Sequence, residues 1–532
     1  MSVARWTPRT ETTRREEKLL KRVAKTRRLF GFLRAQRGQL FNEAFQAELG
    51  AMYRDTGEGQ QPVAPALLAM AMLLQAYEGV SDAEAVERTA IDARWQMVLD
   101  VLGSEDAAFS QATLQAFRER LIAHDMDRRL LERTVELAKE TGTFDWKKLP
   151  KTLRLAVDSR PLTGAGRVED TFNLIGHAAR KLLASAAALA GHEAEAMAKK
   201  AGASLLASGS IKKNLDIEWS DSGQKAEALT RLLGQVEALE EWVREHLGEQ
   251  AERPPLSEHL ATLKQLRDQD LEPDPSDPSG SKKRIRKGVA EDRRISIEEP
   301  EMRHGRKSKS RTINGYKSHL GVDLDTELVV ACAVTPANRP EAEALAPITS
   351  DVERYPERGH VTELYIDRGY LAAPETHQLA ANDTEIVCKP WSPAAGELFS
   401  KRDFLIDLRK KQVTCPAGST EPLELDTTIQ FDPATCAACP LRAKCTKAAD
   451  GRGRTLHIAH DEPLQQELRK KASTPAGRRR LRRRVAIEHR LAHLSRKQGP
   501  RARYKGVRKN LLDLRRHSAV LNLERIQLAQ AA

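Results

Sequence analysis

Two short strands, each closing on an aspartate, constrain this chain more than any other feature. In residues 153–158 the apolar Leu153, Leu155 and Val157 alternate with Arg154, Ala156 and Asp158, a period of two that predicts a strand with an acid near its carboxyl end. Glu363-Leu364-Tyr365-Ile366-Asp367 repeats the grammar, and Arg368-Gly369-Tyr370 then leads into a helical segment that starts near Pro374. Between the two lies a hairpin: residues 313–322, a polar turn at 323–327, and residues 328–334. A further strand, Glu385-Ile386-Val387-Cys388, stops at Lys389-Pro390.

Five strands in this order, three antiparallel members with parallel continuations, predict an α/β (α+β) fold on a mixed five-stranded sheet of the ribonuclease H type. Residues 1–150 read instead as an all-α N-terminal domain. Gln61-Pro62-Val63-Ala64-Pro65 opens a dense apolar segment, Ser81-Asp82-Ala83-Glu84 has the spacing of a capping box, and residues 93–102 form a helix that stops at Gly103. Ser110 then precedes a polar, partly basic helix over 111–121. Short helices joined by tight turns resemble a helix-turn-helix layout for DNA binding or assembly, and a plain helical bundle fits the same pattern. The remainder, 151–532, reads as a catalytic domain with three interruptions: a helical insertion at 172–271, a basic linker at 272–311 and a cysteine-cluster insertion at 395–470.

The charge is concentrated. Residues 478–516 hold sixteen Lys and Arg against Glu488 and Asp513, a formal +14 (16 − 2), while the whole chain carries +12. A solvated basic face would account for such a run, but an excess this dense matches phosphate neutralisation better. Arg484, Arg490, Arg496, Lys497, Arg501, Arg503 and Lys505, with Arg306, Lys307 and Lys309 from the linker, are the candidate DNA contacts. Aromatics at 5% argue against an all-β sandwich, and no apolar run approaches the roughly 20 residues that span a bilayer. The first residues lack the apolar core of a signal peptide, so a cytoplasmic protein with no membrane partner is expected.

Four of the six cysteines cluster: Cys415, then Cys436, Cys439 and Cys445. A Cys-x₂-Cys pair with two further thiols can supply a tetrahedral zinc, which would hold together a module too small for its own core; tolerated free thiols are the alternative. Cys332 and Cys388 lie in apolar strands and read as core packing. The acids suggest a second metal centre. Asp158 and Asp367 occupy comparable strand ends, and Glu488 is a lone acid in Arg482-Arg483-Arg484-Val485-Ala486-Ile487-Glu488-His489-Arg490, on a helix whose apolar side is expected to include Val485, Leu491 and Leu494. Three carboxylates could hold two Mg²⁺ or Mn²⁺ ions for phosphodiester chemistry.

These residues resemble a family, the insertion-sequence transposases of the DDE type. Ala156-Val157-Asp158-Ser159 with Gly166-Arg167-Val168-Glu169-Asp170-Thr171 looks like its first-aspartate region, and Asp367-Arg368-Gly369-Tyr370 like its second. His304-Gly305-Arg306-Lys307-Ser308-Lys309 and Asn314-Gly315-Tyr316-Lys317, with Asn338-Arg339-Pro340-Glu341 further on, resemble the second and third strands and the segment after them. Arg484-x₃-Glu488 resembles the glutamate helix, and the cysteine cluster recurs in one branch. Family members often carry Tyr three residues before that Arg and Lys seven after the Glu, where this chain has Leu481 and Ser495. The resemblance implies binding to terminal inverted repeats, hydrolytic release of 3′-hydroxyl ends and strand transfer into target DNA, by a homodimer or higher oligomer on the double strand. A nuclease without strand transfer, or a zinc-stabilised DNA-binding protein whose carboxylates are relics, are the competing expectations.

Overall fold

The computed structural model describes residues 3–531 except 55–60, 208, 279–281, 307–309, 356–359, 392–395 and 450. Its central sheet has the five expected strands. Leu153–Thr163 is flanked on one side by the antiparallel Thr312–Asp323 and on the other by the parallel Val361–Tyr365; Val329–Pro336 and Glu385–Val387 lie outside these. A sixth strand, Arg303–Arg306, pairs with the first residues of Thr312–Asp323. It lies in the stretch expected as a basic linker, where Ile295, Ile297 and Glu299 are buried as well. The first strand also runs past Asp158 to Thr163, because its partner continues alongside it as far as Gly315. There the backbones come so close that any Cβ on Gly315 would overlap Leu162 O and Gly164 N, which only glycine tolerates.

The N-terminal region is a set of helices from Arg14–Val23 to Met126–Glu140, and its local signals act as expected. Ser81 and Glu84 form a reciprocal capping box on Asp82–Ile91, and Ser110 Oγ accepts from Thr113 N (3.1 Å) at the start of Gln111–Ala123. The helix Ala93–Leu99 ends earlier than expected, at Asp100 in the left-handed conformation (φ 62°). These helices share one continuous core with the sheet. The link is the C-terminal helix Val507–Gln530, which packs on Met126–Glu140, on Pro65–Glu78 and on the strand Val329–Pro336.

Two insertions have cores of their own. Helices from Thr171–Ala190 to Leu256–Asp270 bury Leu174, Leu182, Leu232, Leu239 and Leu263 among themselves. The cysteine module is a three-stranded and a two-stranded sheet over residues 405–458, around Phe404, Val413, Phe431 and Ile458. The expectation that this module is too small for its own core is therefore corrected: two aromatics and several β-branched residues suffice once the strands pair.

Candidate active site

The parallel ladder sets the two aspartates side by side. Its last pair is Ala156 with Tyr365; two residues further along each strand come Asp158 and Asp367. One cation joins them: Arg484 Nη2 donates to Asp158 Oδ2 (3.0 Å), and Arg484 Nη1 to Asp367 Oδ1 (2.8 Å) and Ile366 O (3.3 Å). Ser159 N donates to Asp158 Oδ1 (2.7 Å). The Asp158 side chain is 15% exposed and that of Asp367 50%, so the site opens to solvent on the Asp367 side. Burial pushes the Asp158 carboxyl above its ordinary range; the Ser159 amide and Arg484 pull it back, and the Asp367 charge adds to the rise. Burial lowers the Arg484 pKa, but the two carboxylates more than compensate and hold it raised.

Arg484 caps the helix Val485–Gln498, which packs on the first strand through Ile487, Leu491 and Leu494. Val485, expected on the apolar side, is 44% exposed; spacings of four and three residues give the inward position to Ile487. Glu488 is exposed and stands one turn after Arg484, on the same face. The structure thus brings Asp158 and Asp367 together and leaves Glu488 outside their contact: among the described residues, no three His, Cys, Asp or Glu side chains are close enough to hold one metal ion. Oxygen donors of two adjacent carboxylates that already share a positive group fit a hard divalent cation.

The basic tract divides into inward and outward members. Arg490, expected on DNA, is buried and donates to Glu327 Oε2 (2.7 Å), since its position falls on the packed side of the helix. Lys497 pairs with Glu524 (2.8 Å) over the ring of Tyr77, and Lys505 with Glu298 (3.2 Å). Arg503 donates to Val80 O and Arg501 to Ala165 O (2.8 Å). Of the candidate DNA contacts, Arg484, Arg490, Lys497 and Lys505 thus already pair with acids of the chain. Arg496 is exposed with no ion pair among the described residues, and Arg306 is exposed; Lys307 and Lys309 lie outside the described residues.

Cys415, Cys436, Cys439 and Cys445 line one cavity of about 530 Å³, bounded also by Phe399 and Phe431. Sulfur donors suit zinc. No three of these thiols are close enough to share an ion, so the shared cavity is as far as the zinc expectation reaches.

Two residues near the aspartates are not among the candidate site residues read from the sequence. Arg160, two residues after Asp158, is buried and donates to Ser495 Oγ (3.1 Å) and Gly499 O (3.1 Å), so a guanidinium from the sheet abuts the position where the family often has Lys. Burial drops its pKa to about 10. Glu341 accepts from Ser159 Oγ. It closes Asn338-Arg339-Pro340-Glu341, the segment that resembles the family's after its third strand, but nothing local marks it as a neighbour of Asp158.

A family model described as Transposase DDE domain matches residues 414–527, and one described as Transposase domain (DUF772) matches residues 19–120. Both matched regions are transposase domains, and together they support an insertion-sequence DDE transposase. The first match takes in the cysteine cluster, Arg484 and Glu488; Asp158 and Asp367 lie outside both. No curated protein and no solved structure matches the chain.

Proposed function

We propose that this transposase cuts DNA at the ends of its insertion sequence and joins the freed 3′-hydroxyls to target DNA, at a site made of Asp158, Asp367 and Glu488. The observation that carries the reading is the pair of aspartates at adjacent strand ends, held by a guanidinium one turn before Glu488. Two divalent cations would supply the activation of the attacking oxygen and the stabilisation of charge on the leaving one. The chain's own part is positional. Asp158 and Asp367 come from adjacent strand ends of one sheet, and Glu488 from a helix packed on that sheet, one turn beyond the arginine that bridges the aspartates, so the fold holds two of the carboxylates in place and presents the third on the same face as Arg484. In the first step water attacks the phosphodiester and leaves a 3′-hydroxyl and a 5′-phosphate; in the second that hydroxyl attacks a target phosphodiester and releases a target 3′-hydroxyl. Arg496, Arg501 and the exposed arginines of Pro475–Arg482 are available to hold the backbone of donor duplex, with a second copy of the chain on the other end. A cytoplasmic setting suits this work; among the described residues no helix is long and apolar enough to cross a membrane.

The test uses duplexes that carry the flanking repeat. Asp158→Ala, Asp367→Ala and Glu488→Ala should each abolish Mg²⁺-dependent cleavage while DNA binding persists, because they remove metal ligands and not phosphate contacts. Full cleavage by any one variant removes that residue from the site. Cleavage by the native chain without joining to a second duplex would leave a nuclease instead.

A further inference from the structure

Glu341 sits between the two strand ends that carry Asp158 and Asp367. It opens the short turn Glu341–Ala344 after the strand Val329–Pro336, and this turn packs on Arg368–Tyr370. On one side its Oε1 accepts from Ser159 Oγ, next to Asp158. On the other, a Cβ added to Gly369, two residues after Asp367, would overlap Glu341 Oε2. Bare glycine is what lets the carboxylate touch that backbone.

The contact matters because the ladder stops short. The last paired residues of the two strands are Ala156 and Tyr365, and Ile366 N turns away to Val387 O (3.2 Å). Beyond that point each backbone is held on its far side, Asp158 against Leu320 and Ile366 against Val387, and what spans the gap between the two aspartates is side chains. Arg484 spans them at one place and Glu341 ties their neighbours at another; Tyr370, which follows Gly369, is itself fixed by a hydrogen bond between its hydroxyl and His319 Nδ1 (2.7 Å).

We propose that Glu341 is a positioning residue: it clamps Ser159 to Gly369 and so sets the separation of Asp158 and Asp367 that a divalent cation requires. This rests on the metal-dependent reading of the site. The clamp needs an acceptor of the right shape and not a negative charge, which separates it from a direct ligand. Gln at 341 keeps a carbonyl oxygen for Ser159 Oγ; Ala keeps nothing.

The experiment is Mn²⁺ binding to the full chain without DNA, read from the electron paramagnetic resonance of free Mn²⁺, with melting temperatures as a folding control. Native protein should bind Mn²⁺ and Asp158→Ala should not. Partners that orient metal ligands are worth about 10- to 100-fold in affinity, so E341A should bind at least about tenfold more weakly and E341Q within about threefold of native. G369A should weaken binding as E341A does, since its methyl displaces the carboxylate. The double variant E341A/G369A should be no weaker than E341A alone, because the space is then vacant. Native affinity in E341A overturns the clamp, as do an E341Q loss equal to that of E341A or additive losses in the double variant. If E341A does not fold, G369A decides, and native affinity there is the overturning result. Failure of the native chain to bind Mn²⁺ would instead remove the metal-dependent reading itself, and the clamp with it.

Discussion

His319 and His517 are both fully buried, and burial drives each imidazole to a pKa of about 3. His319 bridges Tyr370 and Thr335, directly beneath the strand end that carries Asp158, and His517 faces Asp513 from the C-terminal helix. An unfolded histidine titrates near 6.5, so between about pH 6.5 and 3 the unfolded chain binds up to two protons that the folded chain refuses. Stability from these groups is therefore complete above about pH 6.5 and is lost as the pH falls, by up to about 1.4 kcal/mol per pH unit for each. Asp158 opposes this: its raised pKa makes the folded chain the better proton acceptor above the ordinary carboxylate value. Asp513 acts in the same sense as the histidines but lower; burial raises it, Arg516 and His517 outweigh that, and it sits at about 2. Urea midpoints should fall steadily from pH 7 to pH 5, and His319→Gln should remove part of the slope. A flat profile would mean that the imidazoles are solvated in the folded state.

The helix Val485–Gln498 and the loop after it carry two kinds of arginine, which respond differently to removal. Arg490→Ala deletes a buried side chain and the partner of Glu327, and should cost about 1–2 kcal/mol of stability with the salt dependence of DNA binding unchanged. Arg496→Ala and Arg501→Ala should leave the melting temperature in place and lower the slope of log affinity against log salt by about 0.9 for each phosphate no longer neutralised. Binding across a salt series, on repeat and on random duplexes, checks both; an unchanged slope puts Arg496 and Arg501 off the DNA path. The same helix marks where the sequence stops being legible. Strand-end acids are visible because a carboxylate interrupts an apolar alternation, and Ser81 and Ser110 are visible because caps act over three residues. Arg490 meets Glu327 across 163 residues of chain, and Ser159 meets Glu341 across 182. No local pattern encodes such pairings, so an inward arginine looks like its outward neighbours, and Glu341, although it closes a family-like segment, carries no sign of its partner.

The helix Val507–Gln530 decides how the N-terminal helices and the central sheet behave together. Asn522, fully buried at its centre, accepts from Val329 N (2.7 Å) and donates to Val329 O (2.9 Å) and to Thr134 Oγ1 (2.9 Å). One amide thus satisfies the edge of the sheet and reaches the helix Met126–Glu140. Arg515 adds a second tie, since it pairs with Asp127 (3.2 Å) on that helix and Asp351 (3.5 Å) beside the sheet. A shared core makes the N-terminal helices and the sheet one cooperative body. Asn522→Ala strands the Val329 amide in an apolar interior, at a cost of about 1–3 kcal/mol. Because the core is continuous, that loss should not stay local. Hydrogen exchange should quicken together in 126–140, in 329–336 and in the strand 153–163, while the separately cored helices of 171–270 keep their protection. If exchange quickens in 126–140 alone, the N-terminal helices unfold independently of the sheet, and the C-terminal helix is a contact between two bodies and not the spine of one.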